Sequence, residues 1–182
     1  MEGTKELHPL ARSWTFWVDD FAIKNASMEE FEKNLKTIGT CHTIEGFWNL
    51  FGTLPSIELL QDKKITIHFM ENGVKPLWED KKNIKGGTIT VKCPKEETAI
   101  IWKELLVLVI SNKDCETIHK GKINGVSVSM KKANNLIGIW VDTKDSNFKD
   151  NVIKFIVDYF PVLDEGDVGW KENAEHITDN QI

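Results

Sequence analysis

Tryptophan is the residue type that most distinguishes this sequence, because it occurs seven times in 182 residues whereas tyrosine occurs once. An indole offers a large flat face, so some of these residues could hold a flat ligand. Trp78 has the most suggestive surroundings: it follows Pro76, precedes the acids Glu79-Asp80, and leads into a basic loop that ends in Gly86-Gly87. The chemistry that this segment favours is non-covalent binding.

The sequence lacks the residue patterns of catalysis and metal binding. Its five histidines are scattered, and no GxSxG, HExxH, paired-carboxylate or Cys–His signature occurs. Cys41, Cys93 and Cys115 are far apart, with no CxxC pair and no histidine at ligand spacing. The pair Gly86-Gly87 lacks the other glycines and the lysine of a nucleotide-binding loop. We therefore expect a binding protein with no catalytic residues, no metal and no cofactor.

The charge balance limits the kind of nucleic acid that the chain could bind. With 23 basic and 28 acidic residues the net charge is −5, which argues against broad binding to phosphate backbones. If the protein contacts RNA, it should hold one small feature of it. No apolar run approaches the roughly 20 residues of a membrane span, and the amino terminus lacks the apolar core of a signal peptide. We expect a cytoplasmic protein without a membrane partner.

Alternation of apolar and polar residues predicts the strands of an antiparallel sheet. Trp14, Phe16 and Val18 are spaced two apart, so their side chains share one face of an extended chain. The residues between them leave the other face wet, as in half-buried strands. The same alternation occurs at Ile65-Ile67-Phe69, Val126-Val128-Met130 and Ile137-Ile139-Val141, and residues 88–91 are a short β-branched run.

Spacings of three and four residues predict three helices. The first covers residues 43–51, with Thr43 as its N-cap. The second begins at Pro94, a residue type common at helix starts. The third runs from about residue 146 to 160. A fourth segment, residues 27–38, is ambiguous: it has a capping box and helical apolar spacing.

These elements predict an α+β fold in which a curved antiparallel β-sheet has about three helices packed on its convex face. Residues 1–182 are expected to form a single domain, because no repeat, linker or composition shift divides them. Residues 1–7 and about 164–182 are polar and acidic, so we expect them to be flexible. We also expect the protein to be a monomer.

Several segments, in order and with similar spacings, resemble translation initiation factor 4E, the family that binds the 7-methylguanosine cap at the 5′ end of mRNA. The resemblance runs from about His8 to Trp170. It rests on five segments: His8-Pro9-Leu10 followed by Trp14 and Trp17, Thr43-Ile44-Glu45-Gly46-Phe47-Trp48, residues 75–87, Trp102-Lys103-Glu104 followed by Leu105 and Leu106, and Gly125-Val126 through Ile139-Trp140.

The resemblance implies a cap-binding site. Methylation at N7 makes guanine cationic, and two aromatic faces can sandwich it, with a desolvated cation–π contact adding about 2 kcal/mol. Trp78 matches one face, Glu79 the carboxylate that accepts N1–H and the N2 amino group, and Trp140 the residue on the methyl group. The second face falls on Phe31, where the family has tryptophan in a loop, and we prefer this loop to the helix predicted over residues 27–38.

The resemblance also implies a phosphate site, which is reduced in this chain. The family places several Arg and Lys after its late strand to hold the cap's triphosphate. The first such position is Lys131, and Lys132 is an extra base beside it. The next two positions are Ala133 and Leu136, and Thr88 replaces an arginine. Fewer cations should give weaker and less salt-sensitive triphosphate binding.

The remaining matches imply a dorsal docking surface for an initiation factor 4G-type scaffold or for 4E-binding proteins. Such partners present a YxxxxL-type helix to the surface. Lys103 and Ser111 replace an apolar residue and a glycine of the family pattern. The docking surface, as this name is used below, comprises His8, Pro9, Ile44, Trp48, Lys103, Glu104, Val107 and Ser111.

Three functions stay open at this point. The first is a cap-binding factor for initiation of protein biosynthesis, with capped mRNA and the scaffold as partners and 7-methyl-GTP or 7-methyl-GDP as minimal ligands. The second is a cap-binding translational repressor without productive 4G docking, which is compatible with Phe31, Lys103 and Ser111. The third is a protein-interaction module of the same fold with weak cap affinity, which is compatible with the reduced phosphate site.

Overall fold

The framework of the molecule is an antiparallel sheet. The computed structural model describes residues 6–20, 32–61, 63–111 and 122–179. Within them seven strands lie in the order β2-β1-β3-β5-β6-β4-β7, and each strand is antiparallel to its neighbours. The strands are β1 Pro9–Asp20, β2 Lys36–Thr43, β3 Ile65–Glu71, β4 Gly87–Cys93, β5 Ile123–Ser129, β6 Asn135–Val141 and β7 Val168–Glu172.

Four helices lie wholly within the described residues: α1 Ile44–Phe51, α2 Lys95–Ile110, α3 Ser146–Tyr159 and α4 Asn173–Asp179. Two 3-10 turns cover Ile57–Leu60 and Glu165–Asp167. The predicted cap of α1 is present, because the Thr43 hydroxyl accepts a hydrogen bond from the Gly46 N–H at 3.0 Å. None of the helices in this part of the chain has the length and apolar character needed to cross a bilayer.

The two faces of the sheet have different chemistry. One face packs against α1, α2 and α3, and its side chains, such as Phe16, Phe69 and Val126, are fully buried in the main core. The other, here called the open face, presents residues of opposite parity, among them Trp17 and His68. This arrangement confirms the predicted α+β class and the three helices on one side of a curved antiparallel sheet.

Two predicted segments differ in the structure. Over residues 27–38, where local spacing favours a helix and the family resemblance a loop, residues 32–34 are helical and β2 begins at Lys36, while residues 27–31 lie outside the described residues. β2 is an edge strand in which only Cys41 is buried, so its sequence does not need to alternate apolar and polar residues. The expected flexible end at about 164–182 instead contains β7 and α4, because Val168–Glu172 pairs with β4.

Candidate cap-binding site

The loop that carries Trp78 leaves the sheet through a fixed turn. This Trp78 loop comprises residues 72–86, between β3 and β4. Gly73 has a φ of +86°, in the left-handed region that favours glycine. On either side of it, the Asn72 N–H donates to the Ser13 carbonyl at 2.8 Å and the Val74 N–H donates to the Glu71 carbonyl at 2.9 Å. Val74 is fully buried, so the first part of the loop is anchored to the sheet.

Asn83 is the internal support of the Trp78 loop. Its buried side-chain amide donates to the carbonyls of Lys75 and Leu77 at 2.9 and 2.8 Å. Its side-chain oxygen accepts from the Asn124 amide at 3.0 Å. The two carbonyls lie three residues and one residue before Trp78, so Asn83 fixes the backbone that leads directly to the indole. The sequence analysis did not identify this residue.

The two acids that follow Trp78 have different surroundings. The Asp80 carboxylate accepts from the backbone N–H groups of Lys75 and Lys82 at 3.1 and 2.9 Å, so it closes the loop. The Glu79 carboxylate is half-buried and accepts no hydrogen bond from the described residues. Both of its oxygens therefore keep their capacity to accept hydrogen bonds from a ligand.

Trp78 and Trp140 meet in a small apolar cluster that is separate from the main core. Met70, Val74 and Trp140 form its buried centre, and Trp17 and Trp78 pack against them. Trp78 is half-buried, so part of its surface contacts the cluster and part remains exposed. The structure thus brings together the two tryptophans that the sequence analysis assigned to the cap, although they lie far apart along the chain.

A network of buried hydrogen bonds on the open face of the sheet fixes the position of Trp140. The indole N–H of Trp140 donates to the Ser127 hydroxyl oxygen at 2.7 Å, and His68 Nδ1 lies 2.7 Å from the same oxygen. His68 Nε2 lies 2.7 Å from an Asp19 carboxylate oxygen. Because an indole N–H can only donate, Ser127 accepts from Trp140 and can donate to His68. If the imidazole carries its proton on Nε2, it can also donate a hydrogen bond to the Asp19 carboxylate. These hydrogen bonds together fix the orientation of the Trp140 ring.

Asp19, His68 and Ser127 have the residue types of a hydrolase triad but not its arrangement. In such a triad the serine contacts Nε2 and the aspartate contacts Nδ1, whereas here the two ring nitrogens have exchanged partners. The Ser127 side chain is buried, and its oxygen is occupied by the Trp140 N–H. The three residues therefore position a tryptophan and present no nucleophile to a substrate.

One flat face of Trp78 is already covered. The imidazole of His176, from α4, lies parallel to the indole, with 4.4 Å between ring centroids and 7° between planes. The first residue of α4 is fixed to the same loop: the Asn173 amide donates to the Asn83 carbonyl at 2.7 Å, and its oxygen accepts from the Thr88 hydroxyl at 2.7 Å. No pattern in the sequence pointed to this contact.

The predicted second ring, Phe31, lies outside the described residues. Its neighbour Glu32 is described and forms an ion pair with Lys75. Lys75 lies three residues before Trp78 in the Trp78 loop. The structure therefore places the residue that follows Phe31 beside the segment that carries the first ring.

The positions that the family resemblance assigns to the phosphates differ in exposure. Lys131 and Lys132 are exposed in the turn between β5 and β6, and the Lys131 N–H donates to the side chain of Asn135 at 3.1 Å. Ala133 is exposed beside them. Thr88, which stands where the family has arginine, is buried and bound to Asn173. Its hydroxyl thus supports α4 and does not face a ligand.

Helix α1 presents exposed apolar side chains on either side of its core contact, Phe47. Ile44 and Trp48 are 42% and 45% exposed, one turn apart, whereas Phe47 is fully buried. The Ile44 N–H donates to the His8 carbonyl at 2.9 Å, so His8 and Pro9 lie beside the start of this helix. An exposed tryptophan next to an exposed isoleucine is typical of a protein-binding surface.

Two acids at the docking surface are engaged within the chain. The Glu45 carboxylate accepts from the ring and the backbone N–H of His8 at 2.7 and 3.1 Å, and these hydrogen bonds lower the pKa of Glu45 to about 2. The Glu104 carboxylate accepts from the Tyr159 hydroxyl at 2.9 Å. On α2, Lys103 is exposed while Val107 and Ser111 are half-buried, at spacings of four residues.

Comparisons with known proteins identify the family of this chain. The family model for eukaryotic initiation factor 4E matches residues 9–182. The eukaryotic translation initiation factor 4E of Aplysia californica is 31% identical over 144 residues, which are 76% of this chain and 62% of that protein. The protein of the same name from Saccharomyces cerevisiae is 29% identical over 177 residues, 95% of this chain and 78% of that protein.

A solved complex has the same fold as this chain. The complex of C. elegans eIF4E-3 with the 4E-binding protein Mextli and cap analog superposes with a TM-score of 0.80 at 21% identity, covering 97% of this chain and 99% of that one. At this identity the likeness concerns the fold. The chain spans less than two thirds of the length of the Aplysia relative.

Proposed function

The chain belongs to the eukaryotic initiation factor 4E family, and from this premise we propose that it binds the 7-methylguanosine 5′ cap of cytoplasmic mRNA and recruits that mRNA for translation initiation. The observation that carries the proposal is that Trp78 and Trp140 belong to one cluster. The adjacent Glu79 carboxylate accepts no hydrogen bond from the described residues, so it can accept hydrogen bonds from a ligand. The protein is a binding factor and needs no cofactor for this role.

In the proposed complex the exposed face of Trp78 stacks on the methylated guanine. Base–aromatic stacking contributes about 1–3 kcal/mol, and the positive charge on the ring adds a cation–π term of about 2 kcal/mol where water is excluded. Glu79 accepts N1–H and the N2 amino group, which adenine cannot offer in the same pattern. Trp140, held by Ser127 at 2.7 Å, packs on the methyl group.

The opposing ring and the phosphate contacts complete the proposed site. Phe31 supplies the second ring, and the support for this role is the ion pair of the adjoining Glu32 with Lys75. Lys131 and Lys132, in the turn between β5 and β6, are the cations that we assign to the phosphates. Because the Thr88 hydroxyl is hydrogen-bonded to Asn173, we propose that the triphosphate contributes less to affinity than the family pattern implies, and that the base contributes more.

A titration with 7-methyl-GTP and GTP, followed by tryptophan fluorescence, tests the proposal. We expect clear quenching with the methylated nucleotide and at least about tenfold weaker binding of GTP, because GTP lacks the ring charge that a desolvated indole attracts. Adenosine triphosphate serves as the control for base recognition. Equal affinity for the methylated and unmethylated nucleotides would contradict the stacking of a cationic base on Trp78.

The second part of the proposal concerns partner binding, for which we assign the docking surface. Its support is the exposure of Ile44 and Trp48 on one face of α1, with His8 fixed beside them. A partner helix with a YxxxxL pattern would place its apolar side chains on this face. Glu104 is bound to Tyr159, so a basic partner residue would have to compete with that hydroxyl.

Replacing Trp48 with alanine should abolish most of the binding of a YxxxxL-type peptide. Truncation of a central tryptophan at an interface commonly costs about 2 kcal/mol or more, which corresponds to roughly 30-fold in affinity. Fluorescence anisotropy of a labelled peptide measures this loss. Leu59→Ala, which shortens another exposed apolar side chain, should leave peptide binding unchanged. If wild-type protein does not bind the peptide, the assignment as an initiation factor fails, and the repressor is retained only if the protein binds 7-methyl-GTP.

A further inference from the structure

We infer that His176 is a positioning residue for cap binding: its ring backs Trp78 on the face away from the base, so that imidazole, indole and methylguanine form one stack. This inference rests on the proposed function and extends it to a residue of the carboxyl-terminal helix. Its starting point is the parallel contact of the two rings, with centroids 4.4 Å apart.

The contact leaves no room for a base between the two rings. Stacked aromatic pairs in proteins have centroids about 4.5–7 Å apart, so His176 and Trp78 are already at the short end of contact distance. The base must therefore either displace His176 or stack on the opposite face of the indole. The supports of α4 and the order of the strands decide between these two arrangements.

The contacts that hold α4 in place oppose its displacement from Trp78. Asn173 is fully buried at the start of the helix and binds Asn83, Thr88 and, through its backbone N–H, the Gly86 carbonyl at 3.1 Å. His176 follows three residues later, so it projects from the same side of the helix as Asn173. Moving α4 as a whole away from Trp78 would break these contacts of Asn173, on which the Trp78 loop itself depends.

The order of the strands indicates that α4 and Glu32, the described residue next to Phe31, reach the Trp78 loop from different sides. Helix α4 follows β7, which is one edge of the sheet, and β2 is the other edge. Glu32, four residues before β2, is paired with Lys75 in the Trp78 loop. His176 thus approaches Trp78 from the β7 side, and the face directed toward β1 and β2 is the one left for the base.

A backing ring would act by preorganisation. An indole held against a fixed imidazole does not have to be immobilised when the ligand arrives, and ordering one large side chain on binding costs about 2- to 10-fold in affinity. This gain has particular value in a site that has lost phosphate contacts.

Three variants test the role of the ring through their affinity for 7-methyl-GTP, measured by calorimetry. We expect His176→Ala to bind roughly 2- to 10-fold more weakly than wild type, and His176→Phe, which keeps a flat ring, to bind within about twofold of it. Glu175→Ala changes an exposed neighbour on the same helix and should have no effect. Tighter binding by His176→Ala would show that the imidazole occupies the base's face, and unchanged binding would show that it has no role; either result overturns the inference.

A spectroscopic measurement separates this inference from the proposed function. In the ligand-free protein the His176 ring protons lie over the indole, so their NMR signals should be shifted upfield, and Trp78→Leu should remove that shift. Absence of the shift in wild type would overturn the stack, whatever the affinity for the nucleotide. If the shift is present but wild type does not bind 7-methyl-GTP, the proposed function fails and the role of the stack in cap binding fails with it.

Discussion

Replacing Trp78 with alanine is expected to raise the dissociation constant for 7-methyl-GTP at least about 100-fold. The indole supplies both the stacking term of about 1–3 kcal/mol and the cation–π term of about 2 kcal/mol. These terms overlap, and a combined loss near 3 kcal/mol corresponds to about two powers of ten. Calorimetry is the suitable measurement, because the substitution removes a fluorophore at the site.

The matched control for this variant is Trp48→Ala. Trp48 is also a partly exposed tryptophan, but it lies on α1, which packs on the other face of the sheet. It should retain wild-type affinity for the nucleotide while losing peptide binding, and Trp78→Ala should behave in the opposite way. Affinity of Trp78→Ala within threefold of wild type would remove this residue from the site.

The second large effect is expected at Gly86, where an alanine should lower the free energy of unfolding by about 2–3 kcal/mol. A Cβ at this position would lie 1.8 Å from the Val141 carbonyl oxygen and 2.7 Å from its carbon. Both are backbone atoms of β6, so no side-chain rotation can relieve the overlap. The end of the Trp78 loop would have to separate from the sheet. Urea unfolding of wild type and variant measures the difference.

Gly169→Ala is the control for this substitution. Gly169 lies in β7 opposite Thr90 of β4, and a Cβ there meets no atom within 4 Å. Its effect on the free energy of unfolding should therefore stay within about 0.5 kcal/mol. Equal stability of the two variants would mean that the close packing of Gly86 against Val141 does not exist in solution.

The parts of the fold that follow from local sequence were predicted well. The alternating residues of β1, β3, β5 and β6 each cover a strand, because these strands have one face in the core and one on the open face. The cap of α1 was also predictable, since Thr43 needs only the N–H of Gly46 three residues later. Local spacing contains all the information that these features require.

The two edge strands could not be predicted in the same way. β2 and β7 each have a partner on one side only, and β2 buries a single side chain. Their stability comes from pairing with β1 and β4, so their own residues carry little periodicity. In β7 the decisive contact is long-range: Trp170 lies so close to Gly87 that a Cβ there would be 2.4 Å from its ring.

In the candidate site, too, some residues were predictable from the sequence and others depend on long-range contacts. Trp78, Glu79 and Trp140 were predicted through the resemblance of the chain to the family, and their roles stay predictions until ligand binding is measured. Asn83, Asn173 and His176 carry no recognisable motif, and they act through long-range contacts: Asn173 lies 90 residues from Asn83 along the chain, and His176 is farther still from Trp78. The supports of a binding loop are harder to find in a sequence than the residues it presents, because only the folded chain brings them together.

The hydrogen-bonded chain beneath Trp140 has a consequence for how the sheet assembles. His68 faces Ser127 and stands beside Trp17 in the strand register, so its polar atoms meet partners in only one alignment of β1, β3 and β5. A slip by one residue would turn His68 and Asp19 into the apolar core, where unpaired polar groups are costly. The buried polar residues therefore favour one strand alignment over its one-residue slips, and the same alignment brings Ser127 to the indole N–H of Trp140.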